Sequence, residues 1–118
     1  MTDEKPHVSV KNSGEVRIVE FADRKIIEEL FISEIGEELS RVVAGMSDVK
    51  MLLSFKNVEH LSSAALGMLI TLHKQVAEKK GQLKLSDITP QIYEVFKITR
   101  LNKLFSIYGT AREALADF

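Results

Sequence analysis

The side chains of this chain that could do chemistry are few and scattered. There are three histidines, His7, His60 and His73, and a serine pair, Ser62-Ser63, that only His60 approaches in sequence. A serine nucleophile needs a base and a group that orients the base, and no carboxylate is placed to orient His60. The flanking glycines of a nucleophile elbow are missing as well. The six glycines stand singly, so no phosphate-cradling loop is present, and no two-histidine helix motif offers a metal site. Without cysteine, thiolate ligands and disulfides are excluded outright. Glu28, Glu29, Glu34, Glu37 and Glu38 crowd one segment, but nothing elsewhere supplies matching ligands, so they read as the solvated face of a helix. The catalytic set is therefore none, the metal set none, and no cofactor is called for.

Ser62-Ser63 is left as the feature of interest, and it has two compatible readings. Serine is a favoured N-cap, and Ala64-Ala65-Leu66 behind it is strong helix-forming sequence. A hydroxyl at that place also lies just beyond the C-terminal end of a buried strand, where open α/β sheets put their sites. A phosphate there would meet free N–H groups and the positive end of a helix, and would add nearly two charges at one spot.

The elements that must position this pair follow from periodicity. Val8 and Val10, then Val16, Ile18 and Phe21, alternate as two strands around the turn cluster Asn12-Ser13-Gly14-Glu15, which predicts an antiparallel hairpin. From Ile26 to Ala44 the apolar residues Ile27, Leu30, Phe31, Ile35, Leu39, Val42 and Val43 fall at helical spacing, with Gly45 as the stop. Val49 to Phe55 is a nearly unbroken apolar run, the mark of a parallel strand covered on both faces. A second helix starts at Ser62-Ser63 and carries Leu66, Leu69, Ile70, His73, Val76 and Ala77 as far as Lys79-Lys80-Gly81. His73 on that stripe reads as a packed, hydrogen-bonded histidine, and Met46, Met51 and Met68 as packing residues. A strand over Gln82 to Ser86, a helix opened by Thr89-Pro90, a strand over Phe105 to Tyr108 and a closing helix over Ala111 to Asp117 complete the order. The expected class is α/β: one domain, a mostly parallel sheet begun by an antiparallel hairpin, with helices alternating with strands. Residues 1–7 read as a flexible tail and 8–118 as the domain.

The bulk numbers narrow the partners. With 16 basic and 17 acidic residues among 118, the net charge of −1 carries no nucleic-acid footprint and no polybasic membrane patch. No stretch approaches the roughly 18 apolar residues of a membrane span, and residues 1–11 lack the apolar core of a signal peptide, so the expected location is cytoplasmic.

The run MLLSFKNVEHLSSAALG from Met51 to Gly67, continued by Met68-Leu69-Ile70, resembles the strand–loop–helix signature of STAS domains, the anti-sigma factor antagonists and their relatives. The likeness extends to the opening hairpin, the amphipathic first helix, the Gly81 turn and Ile98-Thr99-Arg100-Leu101. It implies a non-catalytic module that binds an anti-sigma factor or a related serine kinase, with the second serine of an aspartate-serine-serine-glycine-leucine loop taking phosphate. Anchored on Leu66-Gly67, the family's aspartate falls on Ser62, its first serine on Ser63, its phosphoacceptor on Ala64 and its glycine on Ala65. The usual aspartate of the central strand falls on Ser54. Ala64 has no hydroxyl, so either Ser63 or Ser62 takes the phosphate or the domain binds constitutively. The expected partner surface is the loop from Asn57 through His60 to Ser62 and Ser63, and then Ala64, Met68 and Thr71 on the helix behind it. Self-association, if any, is expected to be a weak homodimer. The alternative in another class is a nucleotide or small-molecule sensor, and an enzyme ranks third.

Overall fold

The computed structural model describes residues 7–118. Residues 1–6 of the expected tail lie outside that range. Strands β1 (Val8–Ser13) and β2 (Val16–Phe21) pair antiparallel with Ser13 opposite Val16. Gly14 supplies the positive φ, 61°, that so short a hairpin loop demands. The chain continues through β3 (Lys25–Ile26), α1 (Glu29–Ala44), β4 (Lys50–Ser54), β5 (His60–Leu61), α2 (Ser63–Glu78), β6 (Gln82–Ser86) and α3 (Pro90–Ile98). A 3-10 turn over Leu101–Lys103, β7 (Ser106–Tyr108) and α4 (Ala111–Leu115) close it.

The main sheet has the order β1-β2-β4-β6-β7, antiparallel at the hairpin and parallel beyond it. Each helical crossover moves one strand along in the same direction, so helices α1 to α3 share one face of the sheet. Their side chains Ile35, Leu39, Leu69, Leu72, Ile92 and Phe96 form a single core with Met51, Leu53 and Leu85 from the strands. Leu52, between Met51 and Leu53, points the other way and meets Val16 and Ala114 under α4. This period-2 split explains why β4 reads as a continuous apolar run: both of its faces are covered. The α/β architecture, parallel sheet and opening hairpin are as expected.

The boundaries depart from expectation at several places. Helix α1 begins at Glu29, three residues later than the expected Ile26, because β3 claims Ile26 for a two-residue parallel ladder with β5. The Arg24 and Ile26 carbonyls accept from the backbone N–H groups of Glu59, His60 and Ser62. The buried stripe of α1 is Ile32, Ile35, Leu39 and Val43, while Ile27 and Leu30 point to solvent. Helix α4 stops at Leu115, and Phe105 lies before β7 as a core residue stacked on Phe96.

His7, expected in the tail, is tied to the domain. Its Nδ1 meets Asp23 and its Nε2 meets Glu34, each at 2.6 Å, and its ring lies 4.9 Å from that of Phe31. Burial works to lower its pKa, but the hydrogen bonds to Glu34 and Asp23 outweigh that and hold it above the ordinary 6.5. When protonated, the ring can donate to both carboxylates at once and so clamp the start of β1 to α1. Among the described residues, no helix is long and apolar enough to cross a membrane.

Candidate functional site

The N-terminus of α2 is built by two local devices. Ser62 is extended, with φ −89° and ψ 168°, and its Oγ accepts from the Ala65 N–H at 3.2 Å. Its own N–H donates to the Ile26 carbonyl at 3.1 Å, which anchors the helix start to β3. The Ser62 hydroxyl is thus used as the cap, whereas Ser63 and Ala64 are exposed in the first turn. The Ser63 hydroxyl has no hydrogen-bond partner among the described residues.

Behind this turn, α1 and α2 pack against each other over small residues and leave a cleft of about 630 Å³ between them. On the α2 side it is lined by Ala64, Gly67, Met68 and Thr71, and on the α1 side by Gly36, Glu37 and Arg41. A methyl on Gly36 would stand 3.3 Å from Met68 Cγ, so the helices touch there, whereas one on Gly67 would meet nothing within 4 Å. Ser40 donates to Gln75 Oε1 at 3.0 Å and pins the two helices farther along. The surface is apolar at its floor, polar at its rim, and low enough for another chain to approach the backbone closely.

The residues singled out from sequence do not all meet here. Ala64, Met68 and Thr71 line the cleft, and Ser62 and Ser63 stand at the helix start beside it. Asn57 and His60 lie apart from it. The Asn57 side-chain amide donates to the Phe21 carbonyl at 3.2 Å, a latch between the loop and β2. His60 belongs to β5 and lines a separate hollow of about 290 Å³ with Gln91, Ile92 and Val95 of α3. Next to it, Glu59 and Arg24 form a two-armed ion pair at 3.0 and 3.2 Å, which lowers the Glu59 pKa and raises that of Arg24.

His73 stacks edge-on against Phe105 at 5.4 Å, which is core packing, with no hydrogen-bond partner for its ring among the described residues. Ser54 is buried at the end of β4, and its hydroxyl faces the Asp87 carboxylate at 3.5 Å, which also accepts from Ser86 Oγ at 2.8 Å. The acidic group at the ends of the central strands therefore comes from Asp87, held at φ 61° just after β6. Sequence reading missed Asp87 and the α1 wall of the cleft. A glycine in the interior of α1, Gly36, was the available signal, since helix-interior glycine usually has a packing reason. Among the described residues no group of three metal-ligating side chains gathers.

The sequence profile of the STAS domain matches residues 11–114. The anti-sigma F factor antagonist of Paenibacillus polymyxa is 27% identical over 67 residues, an alignment spanning 57% of this chain and 57% of that protein. Among solved structures, an anti-sigma-factor antagonist (STAS) domain protein from Planctomyces limnophilus superposes with a TM-score of 0.86 at 22% identity, covering 93% of this chain and 96% of the other. An anti-sigma factor antagonist from Mycobacterium paratuberculosis gives 0.80 at 21%, covering 93% and 91%. At such identities the structural likeness speaks for the fold.

Proposed function

The chain belongs to the STAS domain family, and from that premise we propose that it is a non-catalytic module of the anti-sigma factor antagonist type, docking a regulatory protein on α2 and the α1–α2 cleft. The observation that carries this reading is the cleft itself, floored by Ile32, Leu39 and Leu72, walled by small residues and opening beside the exposed first turn of α2. The partner class is an anti-sigma factor or a related serine kinase, and the working compartment is the cytoplasm. Ala64 cannot accept a phosphate, and the Ser62 hydroxyl is engaged as a cap. Binding is therefore ungated at the family's usual acceptor, and a kinase acting on this turn would find its hydroxyl at Ser63.

Calorimetry of the chain with such a partner tests the docking, with and without prior incubation with the kinase and ATP. Saturable binding that Met68→Glu abolishes supports the reading, and phosphate mapped to Ser63 by mass spectrometry adds the switch. Binding that is indifferent to Met68→Glu and to Thr71→Arg would sink it. A sensor reading is favoured by one observation, that about 630 Å³ lies within the range of small-ligand sites. Heat on titrating nucleotides into the isolated chain would select it.

A further inference from the structure

The net charge of −1 conceals a strong segregation of charge. Residues 27–38 carry five glutamates and no lysine or arginine. Residues 97–104 carry Lys97, Arg100 and Lys103 and no acid. Each segment also presents large apolar side chains to water. Ile27 is 47% and Leu30 65% exposed on the acidic side; Ile98 is 79% and Leu104 41% exposed on the basic side.

The topology puts these patches at opposite corners of the domain. Helix α1 crosses between β2 and β4, and α3 between β6 and β7, so they border opposite margins of the helical layer. Leu30 lies in the first turn of α1, level with the C-terminal ends of the parallel strands. Leu104 follows the 3-10 turn after α3, level with the start of β7. Beside Leu104 opens an apolar cleft of about 600 Å³ lined by Ile70, His73, Lys74 and Ala77, with Glu78 its one acid. Lys97 is half-spent on Glu94 at 3.1 Å, Glu34 is held by His7, Glu37 lines the α1–α2 cleft and Glu38 is half-buried. That leaves Glu28 and Glu29, beside Leu30, to face Lys74, Arg100 and Lys103.

We propose that chains associate head to tail, Ile27 and Leu30 of one copy seating in the Leu104 cleft of the next with the glutamates against its cations. Each patch carries an excess of one sign, with Lys25 beside the acidic one and Glu78 and Glu94 beside the basic one, so pairing of a patch with itself is disfavoured. The contact is heterologous, so every copy keeps one unused patch of each kind and assembly is open-ended unless it closes into a ring. With only two exposed apolar side chains on the acidic side, we expect the contact to fall below the roughly 1,200 Å² of stable interfaces and to be weak and concentration-dependent. This assembly is independent of partner docking in the α1–α2 cleft.

Sedimentation of the whole chain at concentrations up to about 1 mM tests it. The mass should rise with concentration past that of a pair and fall back when salt is raised to roughly 0.5 M, where exposed charges are screened. Leu30→Asp, which puts a charge into the apolar cleft, and Lys103→Glu each alter an exposed side chain, and their altered patches repel each other. Each should weaken association on the order of tenfold or more. Mixed together they should restore association but stop at pairs, because one retains an intact basic patch and the other an intact acidic patch. A chain that stays monomeric throughout, or a closed dimer that the mixture of variants fails to restore, would overturn the proposal.

Discussion

Gly67 stands in the second turn of α2, exposed, on the wall of the cleft. Glycine in an exposed helix interior costs about 0.8–1 kcal/mol relative to alanine, because it gives up more backbone freedom on folding. A methyl at Gly67 would meet nothing within 4 Å, so no steric cost offsets that gain. Gly67→Ala should therefore stabilise the domain by about 0.8–1 kcal/mol, which for a chain of this size raises Tm by roughly 3–6 °C. Urea and thermal unfolding followed by circular dichroism would read both quantities. Gly36→Ala is the internal control: its methyl would press on Met68 Cγ at 3.3 Å, so the propensity gain is largely consumed and stability should move by less than about 0.5 kcal/mol. The same Gly67 methyl narrows the cleft, so partner affinity should fall while stability rises. Gly67→Leu should cost at least about tenfold, or 1.4 kcal/mol, of affinity. A stability loss on Gly67→Ala would refute the open geometry of the cleft. A gain in stability with undiminished affinity would refute its use as the docking surface.

Ser62→Ala should cost about 1 kcal/mol of stability through the lost cap, while Ser63→Ala should cost almost nothing; equal effects in urea melts would contradict the assigned cap. His7 has a folded-state pKa above 6.5, so its contribution is fully present below about pH 6.5 and is lost as pH rises through the folded value. The stability gap between the wild type and His7→Gln should accordingly be larger at about pH 6 than at about pH 8.5, by about 1 kcal/mol or less, given that its carboxylate partners are partly exposed. Lys84 is 8% exposed on the α4 side of β6, donates to the Tyr108 hydroxyl at 3.0 Å, and lies about 5 Å from the ring centroids of Tyr108 and Phe118. Lys84→Met should loosen that end of the chain, seen as faster amide exchange confined to α4 and β7; unchanged exchange there would show the lysine to be a passive occupant.

Hydrophobic periodicity and end signals made most of the elements legible. The unbroken apolar character of Met51 to Leu53 requires two covered faces, and the structure covers them with α1 and α2 on one side and α4 on the other. Thr89-Pro90 and the Thr110–Glu113 spacing marked helix starts because capping is a contact between residues three apart. The start of α1 was misplaced for the converse reason. Ile26 belongs to a ladder with Leu61, and nothing near Ile26 in sequence announces a partner 35 residues away. That ladder also turns Ile27 and Leu30 outward, against the helical pattern that assigned them to the core.

The serine pair and the cleft divide along the same line. A helix start at the serine pair was legible in consecutive residues, because capping is local. That Ser62 is the cap and Ser63 the exposed hydroxyl was decided by where the Ile26 carbonyl anchors the Ser62 N–H. The depth of the cleft, the part played by Gly36 on α1 and the separation of His60 from Ala64 depend on how the crossovers lay α1 beside α2 and β5 beside β3. So does the carboxylate facing Ser54, which arrives from the next strand on Asp87. Short-range hydrogen bonding and periodic burial are written in neighbouring residues; which elements share a surface is decided only when the sheet sets its strand order and tertiary packing brings distant segments together.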